Sequence, residues 1–243
     1  MNEQHFANIY DELMQDVPYE KWVSYTKKYI QTGSKVLDVA CGTGTFAMAL
    51  QRNGYNVQGT DISQDMLTIA ENKMRKENIT FPLFKQDMRQ LSGFSSLDGV
   101  TLFCDGLNYL LQEGDVQETF QRIGRILRPG GVFLFDVHSI YKIKTIFNDH
   151  LFGENNEDIS YLWFCTPGEY SNSVEHCLTF FVKTEDQTYE RMDEEHEQRT
   201  FSPHQYCSWL KEAGFSDIEV TSDFGRTSIS ETDERIFLKA IKK

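Results

Sequence analysis

The chain has 243 residues, 40% of them hydrophobic, and a formal net charge of −13, so it can bury one medium-sized core with an appended subdomain. The acidic balance argues against binding a phosphate backbone, which needs a basic face, and suits a small or cationic partner. Five cysteines show neither C-x-x-C spacing nor a zinc pattern, and no run approaches the ~18 apolar residues that span a membrane. The start MNEQHF lacks a basic segment leading into an apolar one, so a reducing, cytoplasmic setting without membrane or nucleic-acid partners is the expectation.

Along the chain, Tyr10, Leu13, Met14, Val17, Trp22, Tyr25 and Tyr29 recur at mostly three- and four-residue steps and predict helix over 2–30, interrupted at Pro18 and stopped by Gly33. "KVLDV" reads as a buried strand, the glycines of "ACGTG" as a turn, and the stretch from Thr45 to Asn53-Gly54 as a helix. "YNVQGTD" is a second strand ending at Asp61, and Ser63 caps the helix that follows. "ITFPLFKQD" is a strand that Pro82 assigns to an edge, and "LDGVTLFCD" one buried on both faces. Asp115 with Glu118 resembles a capping box for a helix that stops at "RPGG", after which "VFLFDV" is the fifth strand.

This alternation predicts a doubly wound α/β parallel sheet. It breaks at Tyr141, where "ISYLWFC" and "HCLTFFV" suggest antiparallel strands joined by turns. "YERMDEEHEQRTF" is ambiguous between helix and strand. The rhythm returns with Ser202-Pro-His-Gln, a cap, a first-turn proline and a glutamine three residues after the cap. Gly214 ends that helix, and "DIEVTSDF" and "RIFLKAIKK" close the chain as strands.

The turn after "VLDV" is the chemically informative place. In an open parallel sheet, ligands sit beyond the carboxyl ends of the strands, and glycines there let a ligand approach backbone N–H groups. Gly42-Thr-Gly-Thr-Phe-Ala47 satisfies the loose dinucleotide pattern, with Asp61 near the distance of its ribose-binding acid; a plain strand-to-helix turn reads equally well. Asp38, inside the hydrophobic strand, separates these readings. A buried carboxylate needs a partner, and it would repel a pyrophosphate but match an ammonium.

"VLDVACGTG", Asp61, "FKQDM" with Asp87, and "LRPGG" together resemble the class I S-adenosylmethionine-dependent methyltransferases, in order and spacing over 35–137. The start "YDELMQDVPYEKWVSY" resembles bacterial members that carry an antiparallel insert after strand five, some of whose distant relatives are N-methyltransferases of antibiotic biosynthesis. The resemblance implies a Rossmann-like, seven-stranded sheet with a helical lid over 1–33, a cofactor core over 34–140, a β insert over 141–201 covering the substrate, and closing elements over 202–243. It implies S-adenosyl-L-methionine as cofactor. Asp38 would lie near its ammonium, with Ala40, Gly42 and Gly44 along the loop. Asp61, followed by Ile62, would take the ribose hydroxyls, Asp87 the adenine amino group, and the Met88 N–H an adenine nitrogen. Cys104 and Asp105 would face the methionine end, and Tyr10 and Tyr25 would fold over the cofactor.

Methyl transfer from a sulfonium to a small-molecule N or O acceptor demands alignment, exclusion of water and a place for the acceptor's proton. Tyr10 and His138 are the candidate bases; Tyr109 could also reach the methyl, and His176 and His196 sit in the insert. No metal set is evident, nor the N/D-P-P-Y tetrapeptide of amino-directed DNA base methylation. The run "MDEEHE" is either a solvated face or, as a strand, an alternation of Glu194 and His196 against Asp193, Glu195 and Glu197, one side of which would favour an amine acceptor. A non-catalytic cofactor-binding protein and an NAD-dependent oxidoreductase are the alternatives, and either a monomer or a homodimer fits.

Overall fold

The structure, a computed structural model, describes residues 17–243. Tyr10, Leu13 and Met14 of the predicted N-terminal helix lie outside the described residues. Helix α1 (Tyr19–Tyr29) begins directly after Pro18 and turns Trp22, Val23, Tyr25 and Thr26 inward. Then follow β1 (Lys35–Val39), α2 (Thr45–Arg52), β2 (Asn56–Asp61), α3 (Gln64–Glu77), β3 (Leu83–Lys85), β4 (Leu97–Leu102), α4 (Glu113–Ile126) and β5 (Leu127–His138). After the insert come α5 (Pro203–Glu212), β10 (Phe215–Ser222), β11 (Thr227–Ser228) and β12 (Arg235–Lys242).

The main sheet has the order β11-β10-β12-β5-β4-β1-β2-β3. Strands β1 to β5 pair in parallel, and β12 joins β5 antiparallel. The chain winds outward from β1 in both directions, so the strand order reverses between β1 and β4, where such sheets bind ligands. The sheet has eight strands rather than the seven expected, because the two-residue β11 adds an edge to β10.

Alternation along the strands divides the core. Leu37, Val39, Val100, Leu102, Phe133 and Phe135 pack on one face with α4 and α5, while Val36, Leu134 and Phe237 pack on the other with α1 and α2. Both faces are covered, which is why β1, β4 and β5 are apolar nearly throughout. Among the described residues no helix is long and apolar enough to cross a membrane.

One local expectation is corrected and one open alternative is resolved. Helix α4 starts at Glu113 after Gln112, so Asp115 is not its cap. The Asp115 carboxylate instead binds Arg89 at 3.0 Å, and Glu118 pairs with Arg122 one turn on. The ambiguous acidic segment is a strand: β6 (His150–Asn155), β7 (Ile159–Pro167), β8 (Ser173–Lys183) and β9 (Tyr189–Arg199) form a second, antiparallel sheet in that order. Helix propensity in β9 yields because every residue from Tyr189 to Arg199 has a partner on β8.

The chain re-enters the main sheet through a full capping box at α5. Ser202 Oγ accepts from the Gln205 N–H at 3.3 Å, and Gln205 Oε1 accepts from the Ser202 N–H at 3.1 Å. Ser202→Ala is expected to cost about 1 kcal/mol, read as a lower urea midpoint at unchanged slope. An unchanged midpoint would show that Gln205 alone carries the cap.

Candidate active site

Past Val39 the chain must turn sharply, and Ala40 takes a left-handed φ of 53°, Gly42 53° and Gly44 76°. Gly44 is required twice: its φ suits glycine, and a Cβ there would sit 3.1 Å from Ala70 Cβ of α3. Gly106, after β4, has the same relation to Ala40, whose Cβ lies 3.2 Å from where a Gly106 Cβ would be. The β1 and β4 turns therefore close on each other at the strand-order reversal.

Three carboxylates stand around the β1 turn. Asp61 ends β2 almost buried, its Oδ2 accepting from the Gly42 N–H at 2.8 Å and its Oδ1 from the Ser63 N–H at 2.9 Å. Each oxygen keeps a further lone pair. Burial raises its pKa. Asp38 is 3% exposed and accepts one bond, from Thr101 Oγ1 at 2.7 Å. Burial, and secondarily the charge of Asp61, push its carboxyl up to about 7. Asp87 caps the short turn Met88–Gln90. Arg89 grips it through Nε at 3.0 Å and reaches Asp115 with its other arm, holding Asp87 below the usual carboxylate range.

These turns enclose a cavity of about 340 Å3 lined by Ala40, Asp61, Ile62, Asp87, Met88 and Tyr109, with Arg89, Asp115 and the 110–112 segment at its far end. Ile62 is 61% and Tyr109 50% exposed, an apolar surface left facing the space. Tyr109, expected from the sequence to reach the methyl, lines the cavity, and Arg89 completes it although the sequence reading did not single it out. Arg89 two residues after an acid was the available signal.

Several predicted residues stand elsewhere. Tyr25 is buried in the core, edge-to-face with Phe103 and Phe237, and does not line the cavity. Cys104 and Asp105 follow β4 with left-handed φ of 54° and 55°. The Asp105 N–H donates to Asp136 Oδ1 at 2.8 Å, and its carboxylate takes Arg235 at 2.7 Å and Gln198 Nε2 at 3.0 Å. His138 is buried behind Asp105, its Nε2 3.4 Å from Asp105 Oδ2 and its ring against Phe147. Burial lowers its pKa, and it too is absent from the cavity wall. Tyr10 lies outside the described residues. On β9, Asp193 and Glu195 are exposed, whereas Glu194, His196 and Gln198 turn inward, with His196 edge-on to Tyr109 at 5.9 Å.

The donor set fits S-adenosylmethionine. Asp61, Ile62, Asp87 and Met88 line the cavity at the switch point, whereas Asp38, Gly42 and Gly44 belong to the adjoining β1 turn and are not part of its lining. Comparison with known proteins agrees. Residues 36–131 match the methyltransferase domain family. A relative from Geobacillus sp. (strain WCH70), named as a methyltransferase, is 48% identical over the whole of both chains. A Bacillus subtilis (strain 168) relative, likewise named, is 43% identical over 98% of this chain and 96% of its own. The crystal structure of an S-adenosylmethionine-dependent methyltransferase from Clostridium acetobutylicum ATCC 824 superposes with a TM-score of 0.88 at 29% identity, covering 99% of this chain and 98% of that one. The chain belongs to the class I S-adenosylmethionine-dependent methyltransferases, and its cofactor is S-adenosyl-L-methionine.

Asp38 generates a pH prediction. Its native pKa of about 7 lies above the ordinary 3.8, so between those values the folded, ligand-free protein holds a proton that the unfolded chain releases. Its contribution to stability therefore falls as pH rises through that window. Asp38→Asn, which can still accept from Thr101, is expected to melt higher than wild type at pH 8, with the gain shrinking toward pH 5. A gain independent of pH would show that Asp38 does not titrate there.

Proposed function

We propose that this enzyme moves the methyl group to a nitrogen or oxygen of a small-molecule acceptor held between the cavity and the inward face of β9. The observation that carries the reading is the contact of His196 with Tyr109, which sets the insert's inner wall beside the slot that Asp61 and Ile62 line. Two further likenesses support a small amine-bearing acceptor. An N,N-dimethyltransferase of Streptomyces fradiae that acts on dTDP-3-amino-3,6-dideoxy-α-D-glucopyranose is 28% identical over 45% of this chain. A sugar N-methyltransferase from Streptoalloteichus shares the fold with a TM-score of 0.74.

In this reading Asp38 answers the cofactor's ammonium across the β1 turn, with Ala40, Gly42 and Gly44 offering backbone. Asp61 accepts the two ribose hydroxyls, Ile62 and Met88 flank the adenine, and Asp87, braced by Arg89, takes its amino group. Bound S-adenosylmethionine supplies an electrophilic methyl on a leaving group that departs neutral. The protein's own work is alignment, which supplies several kcal/mol, and exclusion of water. An amine acceptor must lose a proton before or as it attacks. His196, whose pKa burial lowers so that it is neutral at pH 7, is better placed to receive that proton than His138 behind Asp105. The unit over 141–201 serves as the substrate wall, and 34–140 as the cofactor core.

Calorimetry with S-adenosylhomocysteine tests the reading. One site is expected, and Asp61→Ala should weaken it by roughly 1.5–3 kcal/mol, the worth of charge-assisted hydrogen bonds. Because the ammonium needs Asp38 ionised, affinity should rise about tenfold from pH 6 to pH 8, a dependence lost in Asp38→Asn. Tight NADH binding with no response to S-adenosylhomocysteine would overturn the cofactor assignments. Acceptor class is read by radiolabelled methyl transfer across a panel of amines, amino sugars and hydroxyl compounds. Transfer to protein or nucleic acid alone would overturn the small-molecule acceptor.

A further inference from the structure

A line of hydrogen-bonded side chains, buried at its middle and half-buried at its ends, runs from the insert to the core. Trp163 Nε1 donates to His176 Nδ1 at 3.0 Å. His176 Nε2 stands 3.2 Å from Gln198 Oε1, and Gln198 Nε2 donates to Asp105 Oδ2 at 3.0 Å. His176 and Gln198 are 5% and 4% exposed, so water does not substitute for these partners. Both ends of the line have no choice of role, since an indole only donates and a carboxylate only accepts. The two groups between are thereby oriented. His176 is the Nε2–H tautomer, and the Gln198 amide presents oxygen to His176 and nitrogen to Asp105.

We propose that Gln198 is the positioning residue that locks the antiparallel insert onto the methyl-transfer site, by joining His176 of the insert to Asp105 at the end of β4 through a one-way hydrogen-bond chain. The proposal rests on the reading of β9 as the acceptor wall. Gln198, His196 and Glu194 share one face of β9, so the register that Gln198 sets also holds His196 over Tyr109. Only a carboxamide accepts from the imidazole and donates to the carboxylate at the same position. A leucine removes both bonds, and a glutamate keeps the first while turning the second into a repulsion.

The surroundings make the wild-type lock insensitive to pH above about 5. Burial, helped by nearby His138, brings His176 down to about 4, and burial also lowers His138 and His196. Arg235 on β12 stays charged, and Asp136 on β5, Lys142 beyond it, Cys104 and Tyr109 are the further ionisable groups around Asp105; burial raises the pKa of Cys104 and of Tyr109, so both stay neutral. The Cys165 thiol, against His176 Nδ1, is pushed up by burial. Gln198→Glu places a second carboxyl about 3 Å from Asp105, a spacing at which two carboxylates do not both ionise. Docking of that variant must take up a proton that an exposed glutamate, with a pKa of about 4.3, does not hold. Its docking is therefore favoured by acid and lost as pH rises.

Hydrogen exchange of the amides over 173–199 reads the lock, with wild type, Gln198→Glu and Gln198→Leu compared at pH 6 and pH 8 after correction for intrinsic rates. Protection is read relative to wild type at the same pH, because titration of Asp38 lowers global stability between pH 6 and pH 8 in all three proteins alike. On that scale Gln198→Glu should lose at least tenfold over 173–199 between pH 6 and pH 8 while amides of β1 and β4 match wild type, and Gln198→Leu should be deprotected at both. Protection of Gln198→Glu that is equal at the two pH values overturns the proposal, because a merely space-filling residue behaves so. Should neither variant fold, nitrogen-15 NMR of wild-type His176 decides: the Nε2–H tautomer supports the chain, and the Nδ1–H tautomer overturns it. Failure of wild type to bind S-adenosylhomocysteine, with the exchange pattern intact, would instead overturn the proposed cofactor site and leave the lock standing.

Discussion

The guanidinium of Arg235 holds together four parts of the chain that are far apart in sequence. It meets Asp105 at 2.7 Å and Asp136 at 3.1 Å, and it lies over the ring of Trp22, whose indole donates to Asp136 at 2.7 Å. One cation thus ties β12, β5, the turn after β4 and helix α1 into one corner. Asp136 is wholly buried, and a buried carboxylate without its partner is strongly destabilising, on the order of 3–5 kcal/mol. The carboxyl end of the sheet can carry so much negative charge because this cation neutralises the side away from the cavity. Among the described residues, no cation pairs with Asp38 or Asp61 on the other side.

That asymmetry explains the division of labour among the acids. Asp105 is satisfied by protein: Arg235, Gln198 and the nearby His138 occupy it. Asp87 is satisfied by Arg89. Asp38 accepts from one hydroxyl, Thr101 Oγ1, and burial, with the charge of Asp61 second, raises its pKa. The backbone at the same place is strained in a matching way. Ala40, Cys104 and Asp105 are non-glycine residues held in left-handed conformations at the ends of the two central strands. Such residues cost about 1–3 kcal/mol each and persist where the surroundings over-determine them. Here the surroundings are the close approach of Ala40 to Gly106 and the bond from the Asp105 N–H to Asp136.

The insert hangs from this corner. Its inner face is aromatic, with Phe147 packed between the rings of His138 and His176, and its outer face carries Asp193 and Glu195 into solvent. The acidic run of β9 therefore has two characters: Asp193 and Glu195 are exposed, and Glu194, His196 and Gln198 alternate with them on the more buried face. Glu197 departs from the alternation, half-buried with its Oε1 shielded from solvent.

Most of the local structure was legible in the sequence, the cap of α4 excepted. The parallel alternation, the edge position of the Pro82 strand, the Ser63 and Ser202 caps and the glycine turn with Asp38 follow from short-range chemistry: period, turn stereochemistry and the cost of an acid inside an apolar strand. The place of Asp87 came from the family resemblance. Residues whose role depends on a partner far along the chain were not legible. Arg89 and Asp115 meet across 26 positions, Gln198 reaches Asp105 across 93, and Arg235 reaches Asp105 across 130. No periodicity in the sequence encodes such a pair. Tyr25 and His138 show the same limit from the other side, since their residue types suit a site while the packing of Phe103, Phe237 and Phe147 around them places both in the interior. Sequence pattern specifies which face of an element is apolar and where it turns. Which charged groups share a corner is settled by how the sheet's strands are ordered, because only that ordering brings β12, β5 and the insert to the end of β4.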